Sequence, residues 1–214
     1  FVSLELKNIN FFYTEKNIIF NNFSLSILKG EKLAIFGKSG TGKSTLLDLI
    51  SGIYSPQKGE ILFNKSPIDK ESINPHIAYI SQDPFLFDLS IEENITLSFA
   101  KKEEIETKKL KKALIKSGVQ EYLNANNLGT DYLVGENGGN LSGGQAQRVA
   151  IARALYSGKE LILLDEAASS LDVETKEFVI NNLLELDESV ILITHDEDIY
   201  NAFPKKINFN DFQK

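Results

Sequence analysis

The 214-residue sequence has no cysteine and no methionine, and its formal net charge at pH 7 is −7. Without cysteine, the chain can form no disulfide framework, no thiol nucleophile and no cysteine-based metal site. The acidic balance, with a pI near 5.0, disfavours nucleic acid as a partner, since surfaces that bind it are basic. Polyphosphate binding remains open, because backbone amides and one or two cations can hold phosphate locally.

Long hydrophobic runs are absent as well. A membrane-spanning helix needs about 20 apolar residues, and the longest apolar runs of this sequence are far shorter. The start of the chain shows no secretory signal pattern. Because the sequence opens at Phe1 and contains no methionine, we expect it to be a piece of a longer protein. Its length and ordinary globular composition fit one large domain, or a core with one subdomain.

Four short apolar runs are each followed by polar residues or a glycine loop. Runs of this length, bounded by turn or polar residues, are typical of strands buried on both faces of a parallel sheet. Ligands bind beyond the carboxyl ends of such strands, so we expect the residues that follow the runs to gather at one edge of the sheet. The runs are LAIF (33–36), IAYI (77–80), LILL (161–164) and VILI (190–193).

Two further parts of the sequence predict an antiparallel sheet and a group of helices. The first 30 residues and GEILFN (59–64) alternate partly between apolar and polar residues, which predicts an antiparallel layer. A helical pattern runs from about 85 to 157, and the mixed charges of 101–118 indicate a solvated helix face. The predicted fold is therefore α/β, with a core of residues 1–84 and 158–214 and a helical subdomain inserted at about 85–157.

The stretch GKSGTGKS follows the first apolar run and matches the phosphate-loop pattern G-x-x-x-x-G-K-[ST]. Its glycines let backbone N–H groups close around phosphates, Lys43 reaches the terminal phosphates, and the Ser44 hydroxyl can bind Mg²⁺. The motif predicts a nucleoside-triphosphate site. The residues assigned to it are Gly37, Lys38, Ser39, Gly40, Thr41, Gly42, Lys43, Ser44 and Thr45.

Polar residues that follow the other runs complete a hydrolytic site. Asp165 ends LILLD and is placed to hold Mg²⁺, and Glu166 can polarise the water that attacks the γ-phosphate. Gln82 can meet the metal and the attacking water. His195 follows the fourth run and is a candidate γ-phosphate contact, whereas a lone histidine is more often structural. Tyr13 either packs in the core or stacks on the base.

A second anion site is predicted at LSGGQ, which contains no lysine. The pattern predicts that a helix begins here, so Ser142, Gly143 and Gly144 would expose backbone N–H groups at its start, and helix N-termini favour anions. A phosphate loop is already present about 100 residues earlier, and this second site, at the start of a helix, is best suited to phosphate that approaches from outside.

These motifs, in this order, resemble those of the nucleotide-binding domain of ATP-binding-cassette (ABC) proteins, over nearly the whole chain. The resemblance implies a RecA-like P-loop core, ATP and Mg²⁺ as ligands, and ATPase activity, with Tyr13 stacked on adenine. The matching motifs are the aromatic loop at Tyr13, Walker A at 37–44, the glutamine loop at Gln82, the signature at Leu141 to Gln145, Walker B at 161–165, the catalytic Glu166, the Asp-loop SSLD at 169–172, and His195.

The resemblance also implies partners. ABC domains form ATP-dependent head-to-tail dimers in which the phosphate loop of one subunit and the signature of the other (here Ser142, Gly143, Gly144 and Gln145) enclose each ATP. YISQDPFLFDLSIEENI (79–95) looks like exporter-type ABC transporters, although Asn137 stands where they commonly have arginine. That subtype implies a membrane domain fused ahead of this one, and a location on the cytoplasmic face of the inner membrane.

Three other functions are compatible with parts of the sequence. A soluble ABC ATPase without membrane domains conflicts with the single uninterrupted cassette and the acidic balance. An importer subunit is suggested by THDEDIY (194–200), which lacks the Thr-His-Arg sequence usual in exporters. A regulatory module with an inactive site conflicts with the intact Lys43, Asp165 and Glu166. We therefore predict an ATPase that drives transport across a membrane.

Overall fold

Three strands open the chain, and a run of helices separates the strand Ile77–Ile80 from the strand Leu161–Asp165. The computed structural model describes residues 1–14, 16–68, 70–98 and 105–212. In chain order the elements are β1 (Ser3–Thr14), β2 (Asn17–Leu28), β3 (Lys32–Phe36), α1 (Lys43–Ile50), β4 (Lys58–Phe63), β5 (Ser66–Pro67), α2 (Lys70–Ile73), β6 (Ile77–Ile80), α3 (Ile91–Thr96), α4 (Thr107–Lys116), α5 (Val119–Ala125), α6 (Gly143–Ser157), β7 (Leu161–Asp165), α7 (Val173–Leu184), β8 (Ser189–Thr194), α8 (Glu197–Ala202) and β9 (Lys205–Asn208), with short 3₁₀ turns at Asn74–His76, Glu136–Gly138 and Phe209–Phe212.

The early strands form an antiparallel sheet in the order β2-β1-β4-β5. Strand β1 pairs with β2 and with β4, and register shifts interrupt both ladders. In the second half of β2, buried and exposed residues alternate, as expected for a strand with one face on a core. The predicted antiparallel layer is confirmed.

A second, five-stranded sheet has the order β6-β7-β8-β3-β9. Strand β3 pairs in parallel with β8 and β9, and β7 pairs in parallel with β8. All four apolar runs are strands of this sheet, and the residues of β8 are buried throughout. The predicted α/β fold with a parallel sheet is therefore confirmed, and β9 is a strand that the sequence patterns did not reveal.

The chain divides into two compact units. The first comprises Phe1–Tyr79, Lys159–Asp165 and Leu186–Lys214, and the second comprises Ile80–Gly158 and Glu166–Glu185. The first unit has a core of aliphatic and phenylalanine side chains from both sheets and α1, including the fully buried Leu33, Leu46 and Ile193.

The second unit has its own core, which packs α3, α4, α5 and α6 around Ile91, Leu114 and Val149. The charged segment that we predicted as helical contains α4, while residues 101–104 of it lie outside the described part of the chain.

Within the described ranges, no helix is both long enough and apolar enough to cross a bilayer. The helical-subdomain boundary at 85–157 stays a prediction.

Candidate active site

The phosphate loop connects β3 to α1 and turns sharply at its glycines. Gly42 precedes α1 with a left-handed φ of 94°, and a Cβ there would lie 2.5 Å from the Ile19 Cγ2 atom. A larger residue would therefore be strained by its backbone and crowded by β2. Gly42 makes no side-chain cap for this helix, and the first-turn N–H groups of α1 adjoin the loop, where helix N-termini favour anions.

Lys43 is the buried cation of this loop. Its side chain is 5% exposed, and Nζ donates hydrogen bonds to the carbonyls of Gly37 at 2.8 Å and Lys38 at 2.9 Å. The Thr41 hydroxyl donates to the Lys38 carbonyl as well, at 2.9 Å. These carbonyls hold the ammonium group in place inside the loop, where a polyphosphate could neutralise its charge.

Tyr13 is half-exposed and lies beside the loop. Its hydroxyl is 2.9 Å from the Thr45 Oγ1 atom of α1. Its ring packs edge-on against Phe11 and Tyr54, with centroids 5.2 Å and 5.6 Å away. At 48% exposure the side chain is not a core residue, and the contact with α1 gives it a fixed place next to the phosphate loop.

The carboxyl ends of β3, β7 and β8 lie at one edge of the parallel sheet. Asp165 is paired in register with Ile193, and Phe36 with Thr194. His195, which is exposed, follows directly after β8. The phosphate loop, Asp165 and His195 thus leave the sheet at the same edge, as expected for three of the four apolar runs.

Two polar residues beside Asp165 were missed as site residues. The Tyr79 hydroxyl donates a long hydrogen bond, 3.4 Å, to Asp48 Oδ1 of α1. Burial raises the pKa of Tyr79, and the charges of Asp48 and Asp165 raise it further, so this hydroxyl keeps its proton. Burial also raises the pKa of Asp48, against the bond from Tyr79 and together with the charge of Asp165.

In the second unit, the signature begins helix α6. The Ser142 hydroxyl accepts a hydrogen bond from the Gln145 N–H at 3.3 Å, and Gln145 Oε1 accepts from the Ser142 N–H at 2.8 Å. This reciprocal capping box fixes the start of the helix. Ser142 and Gly143 are exposed and Gly144 is buried, so two of the predicted signature contacts are open to a partner.

The Asp-loop packs against the signature within this unit. A Cβ on Gly144 would lie 2.6 Å from the Ser170 carbonyl oxygen, so only glycine permits this approach. The Asp-loop ends at Asp172, which caps α7 by accepting from the Thr175 N–H at 3.0 Å. That bond lowers the pKa of Asp172. Glu166, just before the loop, adopts a left-handed φ of 52°, which is strained for a residue other than glycine.

Gln82 and the Asp-loop share a partner that the motif patterns did not identify. Gln147 is 2% exposed; its Nε2 donates to the Gln82 carbonyl at 3.2 Å, and its Oε1 accepts from the Ser170 N–H at 3.1 Å. The Gln82 residue itself is exposed. A glutamine two positions after LSGGQ has no distinctive pattern of its own, so only the tertiary contacts point to it.

The predicted site residues therefore fall into two groups. The first unit holds Tyr13, residues 37–45, Asp165 and His195, and the second holds Gln82, Ser142–Gln145 and Glu166. No cluster of three or more histidine, aspartate or glutamate side chains with metal-binding geometry occurs in the described part of the chain. Mg²⁺ in nucleotide sites takes only one or two carboxylates, with substrate phosphates as further ligands.

Known proteins resemble the chain over most of its length. The alpha-hemolysin translocation ATP-binding protein HlyB of Escherichia coli O157:H7 is 36% identical over 201 residues, which cover 90% of this chain and 28% of HlyB. The ATP-dependent lipid A-core flippase of Pectobacterium atrosepticum is 36% identical over 198 residues, which cover 90% of this chain and 34% of the flippase. The chain thus spans about a third or less of the length of these relatives.

A solved structure has the same fold. A bacterial Atm1-family ABC exporter with ATP bound matches with a TM-score of 0.88 and 28% identity, covering 97% of this chain and 37% of that chain. The ABC transporter family model matches residues 20–169, which run from strand β2 through the phosphate loop and signature into the Asp-loop. On this match the chain belongs to the ABC transporter family, as an ATP-binding domain of the exporter type, and it is an ATPase.

Proposed function

We propose that this chain binds ATP with Mg²⁺, and that hydrolysis of the ATP drives transport across a membrane by the longer protein to which it belongs. The observation that carries the proposal is the phosphate loop, whose buried Lys43 is held by two loop carbonyls at the edge where Asp165 leaves the sheet. The relatives named above, a translocation protein and a flippase, favour transport as the process that ATP hydrolysis drives.

The residues present fit the nucleotide and its metal. Gly42 leaves no room for a side chain in the loop, and Lys43 supplies a positive charge where phosphates would lie. The exposed Ser44 hydroxyl and the Asp165 carboxylate are oxygen donors of the kind that Mg²⁺ prefers. Bound Mg²⁺ would neutralise phosphate charge. The half-exposed Tyr13 ring would stack on adenine.

In hydrolysis, Glu166 is the general base. Its carboxylate takes a proton from the water whose oxygen attacks the γ-phosphorus, while the bond to the β-phosphate oxygen breaks and ADP leaves. Gln82 would orient the water and would supply an oxygen ligand to the metal, and His195 would contact the γ-phosphate. The left-handed backbone of Glu166 supports this role, because strain at such positions is concentrated at functional sites.

The partner is a second copy of the domain in head-to-tail arrangement. Ser142, Gly143, Gly144 and Gln145 of one subunit would close over the ATP held by Lys43 of the other, and hydrolysis would release the pair. A transmembrane domain fused ahead of Phe1 would place the chain on the cytoplasmic face of the inner membrane. We retain residues 85–157 as the helical subdomain of the cassette.

Glu166→Gln tests the hydrolytic proposal. The amide cannot accept the proton, so we expect ATP turnover to fall by about 10²–10⁴-fold. ATP binding should persist, and gel filtration with ATP should show the variant at twice the mass of the nucleotide-free chain. Glu177→Gln, on the exposed side of α7, is the control and should keep the parent's turnover. Equal turnover in Glu166→Gln and the parent would remove Glu166 as the base.

An importer subunit is the second candidate, favoured by the Thr194-to-Tyr200 segment THDEDIY. The coding sequence upstream of Phe1 distinguishes the two. Six predicted membrane helices there would support a fused exporter, whereas a start codon just before Phe1 would support a separate ATPase subunit.

A further inference from the structure

One buried amide in the second unit contacts two loops of the cassette. Gln147 Nε2 donates to the Gln82 carbonyl at 3.2 Å and lies 3.4 Å from the Ser169 hydroxyl, and Gln147 Oε1 accepts from the Ser170 N–H at 3.1 Å. The side chain is 2% exposed, so water cannot easily replace these bonds. Its partners are 65, 22 and 23 residues away along the chain.

The chemistry of the amide suits it to join the two loops. A glutamine side chain carries an N–H₂ donor and a carbonyl acceptor on one rigid plane. Here the donor meets a carbonyl that precedes α3, and the acceptor meets an N–H of the Asp-loop. A shift of either loop therefore breaks a hydrogen bond inside a buried site, unless the other loop shifts with it.

The same face of α6 makes a second contact with the Asp-loop. Gly144 lies three residues before Gln147, so both lie on one side of the helix. At Gly144 the Ser170 carbonyl approaches so closely that a Cβ would be 2.6 Å from it. Backbone contact at Gly144 and hydrogen bonds at Gln147 together hold the Asp-loop against the first two turns of the signature helix.

We propose that Gln147 is a positioning residue that couples the backbone at Gln82 to the Asp-loop at Ser169 and Ser170, so that the two loops move together during the ATPase cycle. The proposal rests on the proposed function for its consequence in turnover. It extends that function, because Gln147 is not among the residues proposed above to contact ATP, Mg²⁺ or the attacking water.

Two substitutions and a control distinguish the effect of losing the Gln147 hydrogen bonds from the effect of losing packing in α6. Gln147→Leu removes both the donor and the acceptor. Gln147→Glu keeps an acceptor for the Ser170 N–H but, when ionised, has no donor for the Gln82 carbonyl. Val149→Ala, also buried in α6 at 1% exposure, loses packing and no side-chain hydrogen bond. The three purified variants and the parent are compared for ATP turnover, ATP affinity, thermal unfolding and amide hydrogen exchange.

We expect both Gln147 variants to lower kcat about tenfold, while the Kd for ATP stays within about twofold of the parent. Without nucleotide, hydrogen exchange over residues 166–172 should be faster in Gln147→Leu and unchanged in Gln147→Glu, which still accepts from Ser170. Val149→Ala should lower the unfolding temperature and keep kcat within about twofold.

Two results would overturn the proposal. One is a kcat within twofold of the parent in both Gln147 variants, and the other is unchanged exchange over 166–172 in Gln147→Leu. If Gln147→Leu folds poorly, Gln147→Met takes its place with the same expected exchange, since methionine also lacks the amide donor and the carbonyl acceptor. A parent chain that does not hydrolyse ATP would contradict the proposed function instead, and the exchange comparison would still test the Gln147 contacts.

Discussion

Beside the phosphate loop, three polar side chains lie close together, and their charges shift the pKa values of two of them. The Tyr79 hydroxyl bonds Asp48, and both feel the charge of Asp165. Because burial disfavours the Asp48 carboxylate, its pKa is higher in the folded chain than in the unfolded one. The ionised form of Asp48 therefore lowers stability, in a place where Asp165 already contributes negative charge.

Asp48→Asn is expected to stabilise the nucleotide-free chain. The amide has no charge and can still accept the Tyr79 hydrogen bond. The gain is full above the raised pKa of folded Asp48, shrinks as pH falls through it, and is absent below the unfolded value near 4. Urea unfolding of both proteins between pH 4.5 and about 7.5 measures this difference.

Asp88→Asn, at an exposed loop position, serves as the control for the loss of one negative charge. A stability difference between Asp48→Asn and the parent that stays constant across the pH range would contradict the pKa shift of Asp48.

Some site residues could be predicted from the sequence and others could not. Lys43 and Gly42 belong to a motif of eight consecutive residues, and the loop geometry follows from local backbone requirements. Tyr79 and Gln147 have no such pattern, because their partners lie 31 and 65 residues away. Which side chain meets which carbonyl depends on packing, and packing is not a local property of the chain.

At the scale of elements, helix α6 organises the second unit. Its first turn carries the capping box of the signature, and its second turn carries Gln147. Further along, the Arg153 guanidinium donates to the Asn94 carbonyl at 2.7 Å, to Asn94 Oδ1 at 3.0 Å and to the Phe85 carbonyl at 3.0 Å. One helix thus fixes both the Asp-loop and the segment from Phe85 to α3.

Arg153→Met is expected to lower the free energy of unfolding by about 2–4 kcal/mol, since three bonds from a charged donor are lost, two of them to the buried Asn94. Methionine keeps the length and apolar stem of the side chain. Chemical denaturation followed by circular dichroism measures the loss. Lys111→Met, on the exposed face of α4, is the control and should change stability by less than about 0.5 kcal/mol.

A loss in Arg153→Met no larger than that in Lys111→Met would show that these bonds contribute little to holding α3 against α6. The expected loss applies to the isolated chain without nucleotide.

The five-stranded sheet shows which strands can be found from apolar runs in the sequence and which cannot. Strands β3, β6, β7 and β8 were visible because strands covered on both faces are continuous apolar runs. Strand β9 (KKIN) carries two lysines and lies at the edge of the sheet, where only one neighbour is needed and charge is tolerated. The other edge strand, β6, keeps the apolar run IAYI, so an edge position permits a charged strand such as β9 but does not require one.

At the scale of the whole molecule, the site residues are divided between two units with separate cores. The two relatives described above are roughly three times longer or more. The matched part of the chain covers only 28% and 34% of their lengths. The proposed pair of domains would use the signature of one copy for the phosphate loop of the other.

Mixed variants test that sharing. Ser142→Arg blocks the signature and Lys43→Ala disables the phosphate loop, so each homodimer should be inactive. In an equal mixture half of the pairs are mixed, and each mixed pair keeps one intact site. Turnover per subunit should then recover to about a quarter of the parent value. The measurement is phosphate release at fixed total protein.

Each variant alone is the control for its own residual activity. A mixture no more active than the mean of the two separate variants would argue against a site built from two chains.

The aromatic cluster around Tyr13 has a practical consequence. The chain has seven tyrosines and no tryptophan, and Tyr13 lies half-exposed on Phe11 and Tyr54 beside the phosphate loop. A tryptophan at position 13 would be the sole indole fluorophore, located where the base is proposed to bind. Its emission would then report nucleotide occupancy directly, and every variant described above could be titrated in a cuvette without a label.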